Sequence, residues 1–111
     1  MNKIKLTITG CLGRMGKELI NSSRKSKDFK LVSITENRIF NKKILGLKSQ
    51  LNSKEAFKNT SVIVDFTVPK CTLEVLKVAS KLKKRVVIGT TGFSKKEEAL
   101  IKKYSKKIPI L

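Results

Sequence analysis

The 111-residue chain carries 26 Lys plus Arg against 8 Asp plus Glu, a formal charge of +18, and it contains no histidine. A chain of this length holds one ordinary domain, and the missing imidazole excludes Ser-His-Asp and Cys-His catalysis, His-ligated metals and His-based proton transfer by these residues. With 40% hydrophobic residues the composition is that of a folded protein and not of a disordered polycation.

Lys3 to Thr9 alternates β-favouring and charged residues before Gly10, which predicts a first strand entering a glycine turn. From Gly13 to about Lys25, Met15, Leu19 and Ile20 recur at helical spacing. Phe29 to Thr35 reads as a second strand, and the basic stretch Asn37 to Asn52, with Gly46 and little periodicity, as mostly loop. Ser53 is placed to cap a short helix through about Lys58, and Ser61 to Phe66 is an apolar run of strand length. Pro69 suits the first turn of a helix whose Leu73, Leu76, Ala79 and Leu82, at steps of three, give one buried face. Arg85 to Gly89 is the next strand. Ser94 and Glu97 form a capping box for a helix to about Lys106, and Ile108 to Leu111 reads as a strand start.

The order β-α-β-α-β-α-β-α-β, with short apolar strands between amphipathic helices, predicts an α/β fold: a doubly wound, Rossmann-like parallel sheet forming one domain over residues 1–111. The last residues, Ile-Pro-Ile-Leu, have no following helix to cover them, so the sheet is expected to be truncated after its fifth strand.

Chemistry is expected at three places. Gly10-Cys11-Leu12-Gly13-Arg14-Met15-Gly16 follows a strand and opens a helix, where glycines let backbone N–H groups and a helix N-terminus approach a pyrophosphate and Gly16 lets the helix pack close to the sheet. Glu36 ends the second strand 20 residues beyond Gly16, near the position of an acid that binds ribose hydroxyls. Arg38, Lys42 and Lys43 beside it could neutralise a 2′-phosphate. Asp65-Phe66-Thr67-Val68-Pro69 and Gly89-Thr90-Thr91-Gly92-Phe93 leave the third and fourth strands at the carboxyl ends where open α/β sheets bind ligands. Asp65 is open to two roles, a loop-bracing or helix-capping carboxylate and a catalytic one, and Thr90 and Thr91 could equally be turn residues.

Taken in order across nearly the whole chain, these motifs resemble the N-terminal domain of the bacterial dihydrodipicolinate reductase (4-hydroxy-tetrahydrodipicolinate reductase) family. The resemblance implies NADH or NADPH as cofactor and hydride transfer to a cyclic dicarboxylate of the diaminopimelate route to lysine. It also implies that Gly10, Cys11, Leu12, Gly13, Arg14 and Met15 hold the pyrophosphate and Glu36 the adenosine ribose. Gly89, Thr90 and Thr91 would meet the nicotinamide carboxamide, while Phe66 and Thr67 line the cleft. The family often has a basic residue directly after the ribose acid; here Asn37 stands there and Arg38 one place later, which leaves the choice between NADH and NADPH open. The family's second, α+β domain carries a histidine-rich motif with a proton-donating lysine and builds a homotetramer. Nothing in these residues matches it, so no catalytic residue is expected here, and the catalytic and tetramerisation domain is expected to be absent from this chain.

Three further expectations concern partners. The 22 lysines are spread throughout, only Arg14, Arg24, Arg38 and Arg85 are arginines, and there is no Trp and one Tyr, which favours a solvated lysine surface over nucleic-acid binding. Cys11 and Cys71 are too few for a zinc framework, so no metal site is expected. The apolar N-terminal stretch is too short for a signal or membrane span, which predicts a cytoplasmic protein without membrane contact. A non-catalytic dinucleotide-sensing or interaction module is the alternative reading.

Overall fold

The computed structural model describes residues 3–38 and 43–111. In chain order the elements are β1 (Ile4–Ile8), α1 (Arg14–Lys25), β2 (Phe29–Ile34), β3 (Lys43–Ile44), β4 (Leu47–Lys48), α2 (Lys54–Phe57), β5 (Val62–Asp65), α3 (Pro69–Leu82), β6 (Arg85–Ile88) and α4 (Lys95–Ser105).

β2-β1-β5-β6 form one parallel sheet in that order, and β1 is its centre of winding: the chain moves to β2 on one side and, later, to β5 and β6 on the other. The order therefore reverses between β1 and β5, and a crevice opens at their carboxyl ends. The expected fifth strand is present as an edge contact: Ile110 bridges in parallel to Val86, and the Leu111 N–H donates to Val86 O at 3.0 Å.

Alternation along the strands sends side chains to two cores. On one face Ile8 and Ile34 pack with Cys11 and with Ile20 of α1. On the other, Ile63 and Val86 pack with Phe57 of α2, Val75, Leu76 and Ala79 of α3, and Ile108, with Ile101 and Tyr104 of α4 against them. Burying an aliphatic or aromatic side chain of this size contributes roughly 1.5–3 kcal/mol, so these few residues hold the layers together. Beside α1, the first face leaves Ile4, Val62, Val64 and Val87 on the wall of an apolar groove of about 470 Å³.

The caps match the sequence. Ser53 Oγ accepts from the Ala56 N–H at 3.2 Å, and Ser94 and Glu97 form the reciprocal capping box of α4. Other expectations need correction. Met15 is 48% exposed and α1 instead buries Gly16, Ile20 and Ser23. In α3 the fully buried stripe is Thr72, Val75, Leu76 and Ala79, with Leu73 and Leu82 only flanking it, because the helix lies over the sheet on a stripe that follows 3.6 residues per turn and not three. The segment expected to be mostly loop contains the antiparallel hairpin of β3 and β4, turned by Leu45 and Gly46 at φ 51° and 78°. Lys42 lies outside the described residues. Among the described residues, no helix is long and apolar enough to cross a membrane.

Candidate functional site

The glycine loop is built by short-range backbone contacts. Gly10 has φ +62°, and a Cβ there would lie 2.8 Å from Thr67 Cγ2 and 3.2 Å from Phe66 O, so only glycine lets the loop after β1 lie against the loop after β5. The Gly13 N–H donates to Gly10 O at 2.9 Å and closes the turn. A Cβ on Gly16 would fall 2.2 Å from Gly10 O. The sequence predicts a close approach of Gly16 to the sheet; the structure places it against the loop's own backbone. α1 follows Gly13 as its N-cap, with no side-chain cap and no acidic residue in its first turn, which leaves its first N–H groups and the positive end of its dipole open to an anion.

Glu36 is half-buried at the end of β2. Its Oε2 accepts the Leu12 N–H and its Oε1 the Asn37 N–H, both at 3.0 Å, so the carboxylate ties the glycine loop to the strand end while each oxygen keeps a further lone pair. Gly10, Gly13 and Glu36 form one wall of a cavity of about 290 Å³, and Phe66, Thr67, Val68 and Cys71 form the other, with Asn37 and Asn52 at its end. Asn52 Oδ1 is buried with no hydrogen-bond partner. Burial, then the charges of Glu74, Asp65 and Glu36, push the Cys71 thiol upward, so it is a protonated wall residue at neutral pH.

Behind this wall Asp65 is fully buried. Its Oδ1 accepts from Thr9 Oγ1 (2.5 Å) and Thr67 Oγ1 (2.9 Å), and its Oδ2 from Thr72 Oγ1 and from Thr90 Oγ1 (3.2 Å). The Thr67 N–H donates to Thr90 Oγ1 at 2.9 Å, and the Gly89 N–H to Asp65 O at 2.8 Å. Of the roles left open for Asp65, the geometry is that of loop bracing: it joins the ends of β1, β5 and β6 to the first turns of α3.

Of the expected cofactor residues, Gly10, Gly13, Glu36, Phe66 and Thr67 meet in the cavity. Cys11 is buried in the α1 core and its N–H is taken by Thr35 O at 3.1 Å; the Leu12 N–H is taken by Glu36. These two residues frame the loop. Arg14 and Met15 are exposed at the start of α1, and Arg38 is exposed beyond Glu36. Gly89 lies under the Phe66 ring, Thr90 is buried against Asp65, and Thr91 is exposed. Sequence reasoning missed Asn37, Asn52, Val68 and Cys71 as wall residues, and Thr9 and Thr72 as partners of Asp65. The signal for the threonines was their position at strand ends and a helix start flanking an acid. Among the described residues, no group of three or more His, Cys, Asp or Glu is arranged to hold a metal ion.

A family model described as dihydrodipicolinate reductase, N-terminus, matches residues 4–111. The chain belongs to that family. A 4-hydroxy-tetrahydrodipicolinate reductase of Pelagibacter ubique is 66% identical over 111 residues, covering 100% of this chain and 43% of the relative. The same-named protein of Buchnera aphidicola subsp. Cinara cedri is 36% identical over 122 residues, covering 99% of this chain and 45% of the relative. The chain thus spans less than half the length of the curated relatives it matches. A solved structure, dipicolinate-bound dihydrodipicolinate reductase from Paenisporosarcina sp. TG-14, superposes with a TM-score of 0.78 at 21% identity over 94% of this chain and 43% of that one, a likeness of fold. The dihydrodipicolinate reductase N-terminal fold is therefore the frame on which the cavity is built.

Proposed function

We propose that residues 1–111 form the dinucleotide-binding domain of a 4-hydroxy-tetrahydrodipicolinate reductase, holding NADH or NADPH for hydride transfer to a cyclic dicarboxylate of the diaminopimelate route to lysine. The observation that carries this reading is the cavity at the reversal of strand order, walled by Gly10, Gly13 and Glu36 on one side and Phe66 and Thr67 on the other, in a chain 66% identical to a reductase of that name.

The residues present fit the group. The open start of α1 and the side-chain-free surface of Gly10 and Gly13 suit a pyrophosphate, which Arg14 approaches as a cation. The spare lone pairs of Glu36 suit ribose hydroxyls, and exposed Arg38, two residues further on, is a cation suited to a 2′-phosphate. Phe66, backed by Gly89, offers an apolar face to a planar ring; Thr90 braces that wall, and Thr91, next in the chain, is exposed. Reduced nicotinamide supplies the hydride when bound; the chain's part is to orient the dinucleotide and to exclude water from its ring. Substrate binding, proton donation and homotetramer contacts are assigned to the portion of the relatives that this chain does not span. A cytoplasmic location belongs to this reading, and nucleic acid and membranes are not assigned as partners.

Titration with NADH and with NADPH, followed by nicotinamide fluorescence, tests the reading. Saturable binding of at least one is expected, and Gly13→Leu should weaken it at least about tenfold by blocking backbone approach. No saturable binding of either dinucleotide by the intact chain would overturn the assignment, and unchanged affinity in Gly13→Leu would move the pyrophosphate elsewhere.

A further inference from the structure

Asp65 is a buried carboxylate with no cationic partner: the one ion pair among the described residues joins Glu55 and Lys58. Four threonine hydroxyls surround it instead. A carboxylate only accepts, with about four lone-pair sites on its two oxygens, while a hydroxyl has one proton and two lone pairs. Two threonines reach each oxygen, so the sites are filled; the protons of Thr9, Thr67 and Thr72 point inward, and that of Thr90 is shared between Asp65 Oδ2 and Thr72 Oγ1, 2.9 Å away. The consequence falls on the oxygens. Thr9 and Thr72 are fully buried, and Thr90 spends its outward lone pair on the Thr67 N–H. Thr67 alone of the four stands on the cavity wall. Its other acceptor within reach, Val68 O at 3.4 Å, is longer and uncharged, so the carboxylate at 2.9 Å holds its proton.

We propose that Asp65 is a positioning residue that fixes Thr67 Oγ1 as a hydrogen-bond acceptor at the cleft wall, so that this wall takes a donor group of the ligand, an amide NH2 or a hydroxyl, and rejects phosphate. Two features act together. An oxygen whose proton is committed inward meets a phosphate oxygen acceptor to acceptor, and the buried negative charge behind it adds repulsion across the low-dielectric wall. The uncapped first N–H groups of α1 remain for the anion, and a hydroxyl acceptor at Thr67 for an uncharged, donor-bearing part of the ligand. This inference rests on the dinucleotide reading above and adds to it the sense in which the ligand lies.

The test uses the intact chain and two probes, reduced dinucleotide titrated by fluorescence and inorganic pyrophosphate competing with it. Thr67→Val, which keeps the shape and loses the acceptor, is expected to weaken dinucleotide binding by about tenfold, and Thr67→Ser, which keeps the hydroxyl, to restore most of it. Asp65→Asn places N–H groups against one pair of hydroxyls and turns them; the loss should resemble that of Thr67→Val. Pyrophosphate affinity is expected to stay at the wild-type value in Thr67→Val and Thr67→Ser, and to stay or tighten in Asp65→Asn. A merely structural role would weaken both probes in parallel, and that result, or wild-type dinucleotide binding in Thr67→Val, overturns the proposal. If Asp65→Asn does not fold, the Thr67 pair decides alone. A wild-type chain that binds neither probe brings down the functional reading and this inference with it, whereas a binding chain whose variants are unselective brings down the inference only.

Discussion

A Cβ on Gly89 would lie 1.8 Å from Phe66 Cε1, so the aromatic wall of the cleft occupies the space a side chain would need. The ring is the movable partner, and Gly89→Ala should displace it: overpacking of this kind costs about 1–3 kcal/mol, and dinucleotide affinity is expected to fall about tenfold. Thermal unfolding beside a fluorescence titration measures both, and an unchanged affinity would show that the ring position does not matter. Cys11 carries a second residue-scale consequence. Burial, then the charge of Glu36, raises its thiol from the ordinary 9.0 to about 11. Between these values the unfolded chain gives up the proton while the native chain keeps it, so the native state binds more protons and stability falls as pH rises through that window. The unfolding midpoint should therefore drop more steeply from pH 9.0 to about 11 in the wild type than in Cys11→Ala, and equal slopes would contradict the shift. At neutral pH the same thiol should ignore thiol reagents until the chain unfolds.

Among the elements, α3 ends on Lys83 in the left-handed region, φ 55° and ψ 45°, and the Lys84 N–H reaches back to Ala79 O at 2.9 Å in a Schellman closure. Glycine is the residue suited to that position. Lys83→Gly should stabilise the fold by about 0.5–1 kcal/mol, the removed strain exceeding the added entropy of the unfolded chain, and a lower melting midpoint would refute this. Elements with local chemical signatures were readable in the sequence: Ser53, Pro69 and the Ser94–Glu97 box mark helix starts, and uninterrupted Val and Ile runs mark the strands β5 and β6. The β3–β4 hairpin was not, because its turn uses Leu45-Gly46 where Asn-Gly or Asp-Gly would announce two positive φ angles. In the site, Gly10, Gly13 and Glu36 were legible from spacing along the chain. The Asp65 clasp was not, since its partners Thr9 and Thr90 meet it only through the strand order, and Asn52 joins the cavity from a segment with no periodicity.

For the whole molecule, 26 basic against 8 acidic residues with a single ion pair among the described residues means that surface charges mostly repel one another. Raising salt from low ionic strength to 0.15 M shortens the screening length to about 8 Å, so the unfolding midpoint should rise with salt; a falling midpoint would show that attractive pairs dominate. The Asp65 clasp also dictates an order of events. Its four hydroxyls come from Thr9, Thr67, Thr72 and Thr90, a span that reaches from the first strand to beyond β6. Thr9 and Thr90 lie 56 and 25 residues from Asp65, so closing their contacts costs loop entropy that those of the neighbouring Thr67 and Thr72 do not. The cleft wall therefore sets only once β6 has docked against β5, so competence to bind arrives with the last strands of the sheet, and a half-folded chain offers its ligand no finished surface.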